Sequence, residues 1–300
     1  MTAAEPQPAR LPLPGGREGA TVRLQPLLTA TVALPGPAVR RESGRLAKLH
    51  AGGFLVPRER WVRVPIPAFL VEHPGAGPLL VDTGFHASVA SAPRESLGRL
   101  LPRVYRDIEM TAAQAVPDQL RALGVDPAAI RVVVMTHLHA DHASGVQEFP
   151  QATFVVSAEE WQAASELGPM HGYVRRQFDH AFDWRTVDFH GPDAAGYGTF
   201  GRTLDLFGDG SVRLLATPGH SRGHLSVLLR LRERDALLCG DAVYTLDTLR
   251  DAHPPAILDD EHRWRRSLRE IQLWLRERPG TLVVPGHDLA AFEALQPLYA

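Results

Sequence analysis

His137-Leu138-His139-Ala140-Asp141-His142 places four metal-binding side chains within six residues. Imidazole nitrogens and carboxylate oxygens form a donor set that Zn²⁺ accepts and that Mn²⁺, Fe²⁺ or Co²⁺ also fit. Alternate side chains of an extended segment share a direction, so His137 and His139 point the same way. A turn into a helix just after them swings Asp141 and His142 toward a neighbouring point. Two donor groups a few ångströms apart are what a binuclear metal centre requires. Three further places repeat the theme: Thr217-Pro218-Gly219-His220, Gly240-Asp241 and Pro285-Gly286-His287-Asp288. Each sets a ligand-type residue just past a short apolar run, beside a glycine that permits a tight turn. One histidine after a glycine is an ordinary turn residue; all of these together, in a chain of 14 histidines, are not.

The elements that must position these residues are short strands alternating with helices. Thr21–Leu34, Trp61–Glu72 and Leu79–Val81 have strand composition, the last stopped by Asp82-Thr83-Gly84. Arg131–Thr136 is a strand running straight into the histidine cluster, and Thr153–Val156, Val212–Ala216, Leu225–Leu231, Ala236–Cys239 and Leu282–Val284 follow. Thr111 and Gln114 are spaced as a capping box, or else Pro117 opens the helix that ends at Gly124. Ser157 and Glu160 have the spacing of a second capping box, with Val156 and Trp161 as a hydrophobic staple and Gly168 as the stop. His262–Arg278 is an amphipathic helix with Trp264, Leu268, Ile271 and Leu275 on one stripe. Residues 85–110 read as a mobile connection with some helix, and residues 169–200 show no legible pattern.

Composition bounds the function. The 300 residues are 44% hydrophobic and 22% charged, which excludes a disordered or fibrous chain. Net charge is −2, so no global basic field draws the protein to nucleic acid or to an anionic membrane. The arginines of the 262–278 helix share it with Glu270 and Glu277, which fits a solvated face better than a nucleic-acid patch. A single cysteine, Cys239, excludes a disulfide framework and a thiolate-rich metal site and reads as a small buried hydrophobe. No signal-peptide pattern or apolar run of 18 residues occurs, so the expected compartment is the cytoplasm. Residues 1–20, with Pro6, Pro8, Pro12, Pro14 and Gly15-Gly16, read as a flexible arm before a single domain over 21–300.

The H-x-H-x-D-H run at 137–142, with His220, Asp241 and His287 downstream in that order, resembles the metallo-β-lactamase fold hydrolases. The resemblance covers roughly Thr21 to His287, and Asp82 is similar to the early aspartate of that superfamily. It implies an α/β fold of the four-layer αβ/βα sandwich type, with two divalent metal ions at the sheet edges. One ion would take His137, His139 and His220, the other Asp141, His142 and His287, with Asp241 bridging. Asp241 occupies the place of the cysteine ligand of the zinc β-lactamases, which argues against a β-lactamase. His224, four residues from His220, reads as a supporting histidine, and His171, His180 and His190 as solvated loop histidines.

Gly240-Asp241-Ala242-Val243-Tyr244 places a tyrosine three residues after the bridging aspartate, as in the quorum-quenching N-acyl homoserine lactonases. The resemblance then implies lactone opening by a metal-bridging hydroxide, with Tyr244 polarising the carbonyl and Asp141 passing a proton to the departing alkoxide. Ala140 stands where several lactonases carry a larger aromatic residue, which leaves the acyl-chain preference open. Glyoxalase II-like thioesterases and phosphotriesterase-like hydrolases share the ligand set. The chain after His287 has no basic residue for a glutathione-binding segment. A metal-binding scaffold or regulator is the non-enzymatic alternative, and a full set of water-activating ligands argues against it. The expected partner is a small ester or lactone acting on a monomer or homodimer, with neither nucleic acid nor membrane.

Overall fold

The computed structural model describes residues 4–99 and 101–300. Strands β1 (Gln7–Pro8), β2 (Arg23–Pro35), β3 (Trp61–His73), β4 (Gly77–Val81), β5 (Arg106–Glu109), β6 (Val132–Val134), β7 (Thr153–Ser157) and β8 (Asp183–Val187) form one sheet. Their order is β1-β8-β7-β6-β4-β3-β2-β5. Strands β9 (Ala195–Tyr197), β10 (Phe200–Asp205), β11 (Val212–Ala216), β12 (Leu225–Arg230), β13 (Asp235–Gly240) and β14 (Leu282–Pro285) form the second, in the order β14-β13-β12-β11-β10-β9.

Both faces of the central strands β3, β4, β6, β7, β12 and β13 are largely buried, which is why they read as continuous apolar runs. Leu79, Val81, Val134 and Val155 of the first sheet pack against Leu214, Val227, Leu229 and Leu238 of the second. The alternate residues Leu80, Val133, Phe154 and Val156 point the other way, into a cluster with Leu120 of helix Val116–Ala122 and Ala163 of helix Ala158–Glu166. In the second sheet Leu215, Leu228, Leu237 and Cys239 turn outward onto Trp264, Leu268, Ile271 and Trp274 of helix Glu261–Glu277. The result is helix, sheet, sheet, helix: a four-layer α/β sandwich. Among the described residues no helix is long and apolar enough to cross a membrane.

Strands β4 and β6 are parallel, β13 and β14 are parallel, and β11 and β13 flank the antiparallel β12. Within each sheet the strands that precede the ligand-type residues therefore end on the same side. Glycine is required in two of the loops beyond them. Gly219 has φ +131°, and a Cβ there would stand 2.2 Å from the Trp264 backbone nitrogen. Gly240 has φ +51°, and its Cβ would meet His224 Nε2 at 2.7 Å.

Several local expectations differ from the fold. The segment before Thr21 is not loose from Ala4 onward: β1 pairs with β8, the Leu13 N–H donates to the Leu206 carbonyl at 2.8 Å, and the Arg17 N–H donates to Asp209. Proline suits such an edge, where few donors are needed, and residues 1–3 lie outside the described residues. The Thr111–Gln114 capping box exists but closes a separate 3₁₀ turn, and the helix that follows opens at Val116, one residue before the expected start at Pro117. The Ser157–Glu160 capping box does not form: Ser157 makes no side-chain cap, and the Glu160 side chain turns into the core. Residues 85–110 hold short helical turns and β5, and residues 169–200 supply β8 and β9.

Candidate metal centre

The end of β6 is anchored on both sides. The Met135 N–H donates to the Val155 carbonyl at 2.9 Å and the Thr136 N–H to Asp82 Oδ1 at 2.8 Å. The backbone stays extended to His139 (φ −66°, ψ 156°) and then turns once as helix Ala140–Ala143. Asp141 and His142 are thereby carried round to face His287.

Two neighbouring donor groups result, all buried. Ligand atoms of His137, His139 and His220 lie within 4.8 Å of one another, as do those of Asp141, His142 and His287. His139 Nδ1 faces His220 Nε2 at 2.9 Å. Asp241 stands between the groups: its Oδ2 is 3.2 Å from Nε2 of His220 and 3.2 Å from Nε2 of His287, and its Oδ1 is 3.4 Å from His142 Nε2.

For four of the five rings the opposite edge fixes the tautomer. His220 Nδ1 faces the Ile257 carbonyl at 3.2 Å and His287 Nδ1 the Pro65 carbonyl at 3.1 Å. A carbonyl only accepts, so Nδ1 carries the proton and Nε2 presents its lone pair inward. His142 Nδ1 meets Asp82 Oδ2 at 2.7 Å. Thr136 Oγ1 gives its proton to Asp82 Oδ2 at 2.7 Å, which leaves it an acceptor for His137 Nδ1–H at 3.1 Å. Asp82 holds this outer layer with a backbone φ of +59°, a strained value for an aspartate.

Three of the inward atoms make no hydrogen bond. His137 Nε2, His142 Nε2 and Asp241 Oδ1 are buried without a hydrogen bond. Each such atom costs about 1–3 kcal/mol when left unsatisfied, so their convergence suits a cation. Charge agrees. Burial pushes the His137 and His220 imidazoles well below their ordinary pKa, toward the neutral form that ligates. Burial also opposes protons on His142 and His287, yet nearby carboxylates outweigh it and raise both. Burial works against the Asp241 carboxylate, and His287, His220 and His142 nevertheless hold its pKa well down. A divalent cation supplies the positive charge that protons on His142 and His287 would otherwise bring.

Tyr244 overhangs the centre, its ring 4.9 Å from that of His287 and 5.6 Å from that of His220. Burial, then the Asp241 and Asp141 carboxylates, raises its phenol well above the ordinary value, so it remains a donor. A second phenol was not foreseen. Tyr105 packs edge-on to Phe85 at 5.7 Å, in the cluster that holds Ala140 and Tyr244. Burial, then the negative charge of Asp141, raises its pKa well above the ordinary value too. Ala140 signals room at this place, but residues 85–110 offer no periodicity that would point to Tyr105. His224 is a supporting residue, its Nε2 accepting from the Asp241 N–H at 2.9 Å. His171 is exposed and His190 bonds Glu159 and Arg202 at the surface. His180 is instead buried, stacked on Phe182 at 5.1 Å.

Comparison with known proteins agrees with this geometry. Residues 61–287 match the model of the metallo-beta-lactamase superfamily. The N-acyl homoserine lactonase AttM of Rhizobium radiobacter is 35% identical over 229 residues, which is 75% of this chain and 82% of that protein. A solved N-acyl homoserine lactone hydrolase, with N-hexanoyl-L-homoserine at its catalytic metal centre, superposes with a TM-score of 0.75 at 22% identity, covering 93% of this chain and 100% of the other. The dizinc quorum-quenching lactonase AidC superposes with a TM-score of 0.60 at 14% identity, covering 93% and 92%. The matched span runs from Trp61 to His287 and takes in every donor of the centre, and the chain belongs to the metallo-beta-lactamase superfamily.

Proposed function

We propose that this chain is a metal-dependent hydrolase that opens the lactone ring of N-acyl homoserine lactones. Two divalent cations, zinc foremost, would be held by His137, His139 and His220 and by Asp141, His142 and His287, with Asp241 shared. Asp241 Oδ2 carries this assignment: it lies 3.2 Å from Nε2 of both His220 and His287, within reach of both donor groups. The 35% identity to AttM supports the choice of substrate.

Bound cations supply Lewis acidity and a water acidified enough to serve as hydroxide near neutral pH. The chain does the rest. Tyr244 donates its phenolic hydrogen to the lactone carbonyl oxygen as negative charge develops there. As water adds to the carbonyl carbon, Asp141 takes one of its protons, and when the ring C–O bond breaks Asp141 passes that proton to the leaving oxygen, giving the open hydroxy acid. A cavity of about 480 Å³ borders His287; Val39, Val62, Val64 and Leu289 form its apolar part, with Arg40, Arg63, Asp247, Asp288 and Glu293 also in its wall, and we assign the acyl chain to the apolar part.

The test is metal content and hydrolysis on one purified sample, with N-hexanoyl homoserine lactone beside S-lactoylglutathione and an aryl phosphotriester. About two metals per chain and preferential lactone opening are expected. Two metals with preference for another ester would overturn the substrate and keep the centre.

A further inference from the structure

Glu160 sits in the first turn of helix Ala158–Glu166 with none of its surface exposed. Its carboxylate accepts four hydrogen bonds. Oε1 takes the Leu138 N–H at 3.0 Å and the Tyr173 hydroxyl at 3.0 Å. Oε2 takes the Ser221 hydroxyl at 2.6 Å and the Gly223 N–H at 3.1 Å. Leu138 lies between His137 and His139, and Ser221 follows His220. One side chain therefore ties together the two loops that carry the three imidazoles of one donor group. Tyr173 adds an edge contact to the His139 ring at 4.8 Å. The other group is braced elsewhere, His142 by Asp82 and His287 by the Pro65 carbonyl.

We propose that Glu160 is a positioning residue that sets the metal affinity of the His137–His139–His220 site and leaves the Asp141–His142–His287 site unaffected. This rests on those residues being the metal ligands. Both loops leave their strands before the ligands begin, so imidazole placement depends on what holds the loop backbone. A metal site tolerates about 0.5 Å of misplacement. In Glu160→Gln one oxygen becomes an amide NH₂, which only donates. A hydroxyl facing that group can rotate to accept, but a main-chain N–H cannot. Whichever way the amide turns, either Leu138 or Gly223 loses its acceptor.

The experiment titrates the metal-stripped full-length chain with Zn²⁺ against a chromogenic chelator, in two backgrounds that each remove one site. In His287→Ala, Glu160→Gln is expected to weaken zinc about 10- to 100-fold, the usual cost of losing an outer-layer partner. In His139→Ala, it should leave zinc affinity unchanged. Equal weakening in both backgrounds, or none in the first, overturns the proposal. Tyr173→Phe keeps the carboxylate and deletes one bond, so a smaller weakening confined to the same site is expected even where Glu160→Gln folds poorly. A wild-type chain that binds no zinc would instead defeat the ligand assignment itself; two sites in the wild type with Glu160→Gln silent would defeat only the role of Glu160.

Discussion

The Asp241 backbone N–H donates to His224 Nε2 at 2.9 Å, so a histidine outside both donor groups orients the aspartate that stands between them. The tautomer follows. Nε2 accepts, Nδ1 carries the proton, and it passes to Thr217 Oγ1 at 2.9 Å. Ser226 Oγ gives its own hydrogen to the Cys239 carbonyl at 2.8 Å, so Thr217 Oγ1 donates to Ser226 Oγ at 2.8 Å. The chain of donors runs one way and ends two residues before Asp241. Burial lowers the His224 pKa to about 3, which keeps Nε2 an acceptor at working pH.

His224→Ala should therefore loosen Asp241 without removing a ligand. Outer-layer losses of this kind cost about 10- to 100-fold in metal affinity. Chelator competition on the purified variant measures it. Metal retention equal to that of the wild type would mean that Asp241 keeps its place unaided.

Tyr244→Phe separates chemistry from metal binding. The ring contacts with His287 and His220 survive the change, and only the phenolic donor is lost. Metal content should stay the same while lactone turnover falls roughly 10²-fold, the scale of losing one oxyanion donor. Undiminished kcat would remove Tyr244 from the reaction.

The residues of the two donor groups are legible because each follows a local pattern: an apolar strand, then a turn that carries a ligand-type residue, beside a glycine at His220, Asp241 and His287. His137 to His142 needed only strand alternation and a turn, and helix Ala140–Ala143 supplies that turn. Glu160 was misread because S-x-x-E is equally the pattern of a helix cap. Only the tertiary neighbours Leu138, Tyr173, Ser221 and Gly223 decide which way the carboxylate turns. Tyr105 was missed for a different reason: its segment is built of short turns and β5, without a period to place a side chain. The arm hid an edge strand because prolines and glycines do not reveal whether a sheet edge is free to receive them.

Acyl-chain preference is testable at Val62, which is 40% exposed and lines the cavity beside His287. Val62→Trp narrows the cavity without overpacking the core. Long-chain lactones should lose about tenfold in kcat/KM relative to N-butanoyl homoserine lactone, within the usual range for crowding an apolar pocket. An equal effect across chain lengths would place the acyl chain elsewhere.

Glu148 gives a pH signature of stability that is independent of the reaction. Its side chain is 12% exposed, with His86 Nε2 3.7 Å away and Oε2 buried without a partner. Burial pushes its carboxyl up from 4.5 to about 7; the Ala87 N–H and Arg121 oppose the shift and Asp118 adds to it. Burial lowers the His86 pKa, so that ring supplies no cation at pH 8. Between about pH 4.5 and 7 the folded chain holds a proton on Glu148 that the unfolded chain has lost. Folding stability from this group is therefore greatest below pH 4.5, falls as pH rises, and levels off above 7. Glu148→Gln removes the buried charge and keeps the shape. The variant should be more stable than the wild type at pH 8 by about 1–3 kcal/mol, and the advantage should shrink at pH 5. Urea unfolding at the two pH values measures the difference; the same gap at both would show that Glu148 does not titrate in this window.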